Sequence, residues 1–381
     1  MTDRTPLRGS HPDLEFHRLH PRGLAVEAEP DPAAPAGAHP SRDSAEAPDP
    51  AIDSVTRALL FPDDADPVPD RAEVWWATRD GAPLAALSLQ VVHDLNDAPG
   101  PSGLVGHIRL ADGPGSTAVP ESTEAPGPTE ALATLLGRAC GELAARGVRR
   151  VLGPMNGSTW ARYRLVTDPA PDGPPPEPPF FMEPWTPPSH LEAFQAAGFE
   201  ERTRYLSAII RDLTRADPRR EEALTGLRER GIRLAPIRMD RFEEELADLH
   251  ALSVEAFSGN PLYSPQPWPV FREMYARVRP LVDPSFVRLA RTEGGELKGF
   301  FFALPDQALT SRVILKTVAV TVDARGTGLG PLLLDEPRQL ALDGGYEALI
   351  HALMHEENPS ARISSRSART IRRYALLEWT P

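Results

Sequence analysis

Residues 316–334, KTVAVTVDARGTGLGPLLL, constrain this chain more than any other stretch. An apolar strand-like run feeds a short turn holding Arg325, Gly326, Gly328 and Gly330. Leu332, Leu333 and Leu334 follow at once with a helical look. Strand, glycine-rich turn and helix in this order suit an anion. Glycine lets the backbone approach closely and leaves N–H groups uncovered. The helix that follows points its positive end at the same place, and Arg325 adds a permanent forked cation. The expected ligand therefore carries phosphate. It is not read by the dinucleotide fingerprint, since no third glycine stands at 331 or 333, nor by a P-loop, since no Gly-Lys-Ser/Thr closes the turn. What remains is R-x-x-G-x-G, read as Arg325, Gly328 and Gly330. The plain alternative is an ordinary glycine-rich strand-to-helix turn.

The motif, together with Val318-Ala319-Val320 before Arg325, resembles the pyrophosphate loop of the GNAT acyltransferase superfamily. The resemblance extends in order over residues 215–381. Gly344-Gly345 ends the helix, residues 346–354 read as a buried strand, and Asn358 stands where the family contacts the pantetheine arm. A helix N-cap is the other reading of Asn358. Upstream, residues 286–290 and 297–304 flank Glu293-Gly294-Gly295 as a hairpin. Helical patterns at about 240–257 and 267–280 match the helices that wall the family's acceptor cleft. The chain ends in a further strand, residues 369–379.

The first half reads as a second copy. Residues 72–92 form a hairpin, 103–110 a strand, 129–146 a helix ending at Gly147, and 148–152 a strand. A short helix at 189–197 and a strand at 203–210 complete the same order. Asn156 occupies the place of Asn358. Residues 111–128, between strand and helix, hold no R-x-x-G-x-G, so this copy is expected to be structural or to shape one wall of the acceptor cleft. The fold class is thus α/β (α+β), with two tandem GNAT-like domains, each a mixed, mostly antiparallel sheet flanked by helices. The expected division is a largely disordered segment at 1–50, a degenerate domain at 51–212 and an acyl-CoA-binding catalytic domain at 213–381.

Proline marks the irregular segments: of 43 in the chain, 12 lie in residues 1–70 and 10 in 168–188. Residues 27–50 are too rich in Ala, Pro and Asp to pack. Residues 14–20 read as an isolated strand, and 168–179 as a stiff polyproline-like loop. The formal net charge is −13, without a basic stripe, which argues against nucleic acid. The single cysteine, Cys140, excludes an internal disulfide. No apolar run reaches the roughly eighteen residues of a membrane span, and no leader pattern opens the chain. A cytoplasmic protein, with no membrane partner, is expected, as a monomer or homodimer.

The resemblance implies transfer of an acyl group, most simply acetyl, from acyl-CoA to an amine of a small molecule or peptide, with no metal. It assigns coenzyme contacts to Val318, Ala319, Val320, Arg325, Gly326, Thr327, Gly328, Leu329, Gly330 and Asn358. The base is harder to place, because Lys316 and Thr317 stand where relatives carry Glu. Candidates are His355, whose ordinary pKa suits the task, and Glu356 and Glu357 beside it. No tyrosine lies at 360–365 to serve as the acid, and Tyr374 reads as packing. Tyr263 and Trp268 are candidates for the acceptor pocket, with core packing as their alternative. Two other readings stay open: a non-catalytic acyl-CoA sensor or scaffold, and an aminoacyl-tRNA-dependent transferase, which the glycine loop and the negative charge oppose.

Overall fold

The structure is a computed structural model, and it describes residues 13–19, 72–93, 95–97, 100–111 and 126–381. The expectations for 27–50, and most of those for 1–70 and 111–128, lie outside these residues.

In the first half, β1 (Glu15–Leu19), β2 (Glu73–Arg79), β3 (Ala82–Val92) and β4 (Ser102–Leu110) form an antiparallel run. The short strand at β1 is therefore not isolated; it edges the sheet against β2. Helix α1 (Pro128–Ala145) then crosses to β5 (Val151–Gly153), which pairs parallel with β4. Pro128 starts α1 where a missing N–H costs nothing. Its Leu132, Leu135, Leu136, Ala139 and Leu143 are completely buried against the sheet, each large side chain contributing about 1.5–3 kcal/mol. β6 (Leu165–Asp168), α2 (Pro188–Ala196) and β7 (Glu200–Ile210) complete this half.

The second half repeats the plan with additions. Its elements are α3 (Arg220–Glu229), β8 (Ile232–Pro236), α4 (Phe242–Phe257), α5 (Trp268–Val278), β9 (Val287–Thr292), β10 (Leu297–Pro305) and β11 (Arg312–Val320). After these come α6 (Leu329–Asp343), β12 (Ala348–His355), α7 (Pro359–Ser364) and β13 (Arg369–Trp379). β11 and β12 are the parallel pair here, with α6 as their crossover.

The two expected sheets are fused. The strand order is β1-β2-β3-β4-β5-β13-β7-β12-β11-β10-β9-β8, with β6 on β13. Each half gives its last strand to the other: β7 pairs with β12, and β13 pairs with β5. Two strands of eleven residues, β7 and β13, pair along their length at the centre. The halves therefore share one hydrogen-bonded sheet, and neither has a closed edge of its own.

The proline-rich loop lies across this junction and is pinned by two buried arginines. Arg372 donates to the carbonyls of Pro169 (2.9 Å) and Glu177 (2.8 Å) and to the Glu183 carboxylate (2.7 Å). Arg312 donates to the carbonyls of Pro178 and Pro179, each at 3.2 Å, and to Asp306 at 2.9 Å. Tyr374, completely buried, donates its hydroxyl to Glu183. Among the described residues no helix is long and apolar enough to cross a membrane.

Candidate functional site

β11 and β12 pair only over Arg312–Leu315 and Ala348–His351, and beyond that point they separate. Each carries an irregularity at the fork. The β10–β11 register jumps from Thr317 to Leu315, so Lys316 is an extra, bulged residue. The β12–β7 register slips between His351 and Met354, and Leu353 there takes φ +59°. A cavity of about 290 Å3 opens in the fork. Lys316, Thr317 and Val318 border it from β11, and Ala352 to His355 from β12. Leu334, Asn358 and Ser360 close one side, while Phe257, Asn260, Tyr263, Trp160, Tyr163 and Tyr205 close the other. Trp160, Tyr163 and Tyr205 belong to the first half, which supplies one wall of this cavity. The 258–267 loop is tied to it as well: the Trp160 indole donates to the Ser264 carbonyl at 2.9 Å, and the Asn96 amide to the carbonyls of Ser258 and Asn260, each at 3.0 Å.

The glycine turn lies at the N-terminus of α6. Gly326 has φ +78° and Gly328 φ +89°, values that a side chain would strain. Gly330 is already in the first helical turn, with no positive φ. The amides of Gly326, Gly328, Leu329 and Gly330 make no hydrogen bond among the described residues, while Thr327 and Leu332 are bonded within the turn. The turn borders a second hollow of about 320 Å3, whose other wall is α3 with Arg219, Arg220 and Arg230. Arg220 is committed to Asp335 at 2.9 Å and to Glu336. Arg325 is exposed and has no ion-pair partner among the described residues.

The coenzyme candidates read from sequence therefore fall in two places. Arg325 to Gly330 form the turn, and Val318 and Asn358 line the fork; Ala319 is buried with Phe300, Leu249 and Leu252. Asn358 stands at the N-cap position of α7 but makes no side-chain cap bond, and its amide is uncommitted among the described residues. Of the base candidates, only His355 lines the cavity. Its pKa is lowered, first by burial and then by the Arg164 guanidinium, against the pull of Glu357 and Glu356. Its Nδ1 accepts the Glu357 N–H at 3.2 Å, which leaves the proton of the neutral ring on Nε2. His355 thus presents a donor and not a base. Glu356 turns outward to Arg373, and Glu357 is exposed; neither borders the cavity. Tyr263 borders it and is buried, its hydroxyl without a partner among the described residues. Trp268 does not: it packs on His250 and Phe271, the core alternative.

In the sequence Lys316 shows only as a residue standing where relatives carry Glu. The bulge was the missing signal, because it shows only in the register. Burial in the cleft, and after it the nearby Arg164, pull the Lys316 pKa down to about 8 against the opposing Glu183. Lys316 makes no hydrogen bond or ion pair among the described residues.

The same fork in the first half is shut. There the β3–β4 register jumps between Ser88↔Gly106 and Ala86↔Arg109, with His107 at φ +48°, matching the Lys316 bulge. The Met155 N–H donates to the Val105 carbonyl at 2.8 Å, and Asn156 Oδ1 accepts the His107 N–H at 2.6 Å. A Cβ at Gly106 would lie 2.3 Å from the Met155 carbonyl oxygen, so the strands close on each other with no room between. Asn156, the counterpart of Asn358, is spent on closing the gap.

No protein-family model and no curated protein matches the chain. Solved structures do. One is the GCN5-related glucosamine N-acetyltransferase region of a fungal multi-domain GH3 β-N-acetylglucosaminidase, at 14% identity and TM-score 0.49, covering 85% of this chain and 36% of that one. The chain thus spans about a third of that protein's length. Another is a GCN5-related N-acetyltransferase from Sphaerobacter thermophilus, at 14% identity and TM-score 0.45, covering 81% and 80%. A third is a tandem GNAT protein from the clavulanic acid biosynthesis pathway, at 14% identity and TM-score 0.45, covering 81% and 82%. Such identities bear on fold alone and say nothing of substrate. Over 81–85% of its length, the chain's structural matches include GNAT acetyltransferases, tandem GNAT proteins among them.

Proposed function

We propose that this protein is an acyl-CoA-dependent N-acyltransferase whose second half holds the coenzyme and whose first half walls the acceptor site. The observation that carries the reading is the pairing of two features: four uncommitted amides at a helix N-terminus, and a forked strand pair enclosing a cavity beside that helix. The residues fit the ligand. Gly326, Gly328, Leu329 and Gly330 would take the diphosphate on their N–H groups, with Arg325 adding charge. Asn358 has a free amide for the amide-bearing arm, and Val318 supplies apolar contact along β11. Acyl-CoA brings an activated thioester: the amine nitrogen forms the new C–N bond, the C–S bond breaks with its electron pair to sulfur, and the proton the amine loses passes to base or water. The chain's own part is to bind, orient and exclude water. The His355 ring, Tyr263, the Asn358 amide and the Lys316 ammonium are among the donor-bearing groups that line the cavity. The closed fork and the committed Asn156 support a first half without a coenzyme of its own.

A non-catalytic acyl-CoA-binding role is the second reading, favoured by the lack of any carboxylate among the described residues lining the cavity. Calorimetry with CoA, followed by thiol release from acetyl-CoA over a panel of amines, separates the two. Binding with turnover is expected. Binding without turnover of any amine would leave the sensor, and no binding would remove both.

A further inference from the structure

We propose that the acceptor side of this cavity takes an amine that also carries a carboxylate, with the Lys316 ammonium as its counter-charge. The inference rests on the acyltransferase reading and names its substrate class.

Asp and Glu make up 54 of the 381 residues, yet neither type is among the described residues lining the cavity. A site that gathers a polycation needs carboxylates, and this one has none. It has Lys316 instead, thrust from the strand by the bulge and unpaired among the described residues. Ile314, two residues earlier, packs with Phe180 of the proline-rich loop, and Lys316 feels Glu183 of that loop and Arg164. It therefore lies within electrostatic reach of the first half. Glu183 cannot serve as its partner, because Arg372 and Tyr374 already occupy its carboxylate.

Aromatic faces are the other means of holding an ammonium, and two of them are taken. The Arg164 guanidinium lies 3.8 Å from the Tyr163 ring centre and 3.9 Å from that of Tyr205, held there by its bond to the Leu353 carbonyl at 3.2 Å. It adds a second positive charge behind the cavity wall. Tyr263 supplies the independent observation: the residue borders the cavity, and its buried hydroxyl has no partner among the described residues. An unpaired buried donor is costly, and a carboxylate oxygen would satisfy it. Trp160 and Phe257 make the rest of that wall apolar, which suits a carboxylate attached to an apolar or aromatic body.

The test offers the full-length protein acetyl-CoA with L-phenylalanine, L-phenylalaninamide or spermidine and follows thiol release. The acid should exceed its amide in kcat/KM by about tenfold, the worth of one charge-assisted contact, and spermidine should be poorest. Lys316→Met should bring the acid down to the amide while CoA affinity holds, and Lys316→Arg should keep the preference. Equal use of acid and amide, preference for spermidine, or a Lys316→Met protein that still prefers the acid overturns the proposal. Should no amine release thiol, calorimetry of phenylalanine and phenylalaninamide on the same proteins decides it: selective, Lys316-dependent binding of the acid supports the proposal, and equal or absent binding overturns it. Failure of CoA itself to bind would strike the acyltransferase reading instead, so the two failures are distinct.

Discussion

Alanine at Gly328 and alanine at Gly330 should move stability in opposite directions, although both glycines belong to one motif. Gly328 caps α6 at φ +89° and ψ −6°, and an added Cβ would meet the Ala223 Cβ at 3.4 Å. An L-residue held in that left-handed region costs about 1–2 kcal/mol. The contact with α3 is ordinary in length, so strain of the backbone is the larger part. Gly330 lies within the first turn, where its Cβ would sit 3.9 Å from Val320 with room to spare. There alanine gains up to about 1 kcal/mol of helix propensity. Thermal unfolding of the ligand-free proteins reads the difference, at about 1 °C for each kcal/mol in a chain of this size. Calorimetry with CoA reads the other half. Gly330→Ala should bind more weakly despite its stability, because a methyl group now stands beside the uncovered amides. A Gly328→Ala protein as stable as the parent would refute the assigned backbone geometry. A Gly330→Ala protein with unaltered affinity would refute the placing of the diphosphate.

Two further outcomes follow from buried charge. Arg372→Met should lose about 3–5 kcal/mol in denaturant unfolding, because it strands Glu183 in the interior together with the Pro169 and Glu177 carbonyls; a loss below about 1 kcal/mol would mean that the loop is not clamped by this residue. The Lys316 pKa falls from 10.5 to about 8 on folding, so between those values the unfolded chain binds more protons and stability rises with pH. Lys316→Met should therefore be more stable than the parent below pH 8, with the gap closing by about pH 10.5; a gap that does not change with pH would show that Lys316 is not desolvated.

The chain's own order of residues determined its elements and its glycine turn. Apolar runs and a hairpin turn marked β9 to β12, the glycine turn marked the start of α6, and Gly344-Gly345 marked its end, because these signals act within one or two turns of backbone. The repeat was legible for the same reason, as one local plan written twice. Four things waited on tertiary structure. The exchange of β7 and β13 joins residues about 140–150 and about 225 apart in sequence, and no local signal specifies which sheet an extended segment completes. The bulge at Lys316 exists only as a register between two strands. Whether a fork is open or shut depends on what fills it: Met155 and Asn156 close one, while Leu353 and Asn358 leave the other parted. The ring proton of His355 and the outward turn of Glu356 were settled by the Glu357 amide and by Arg373, partners that composition and spacing do not reveal. Backbone preference is a property of neighbours along the chain, and it can be read there. The charge and hydrogen bonding of a cavity are properties of neighbours in space, and only folding brings them together.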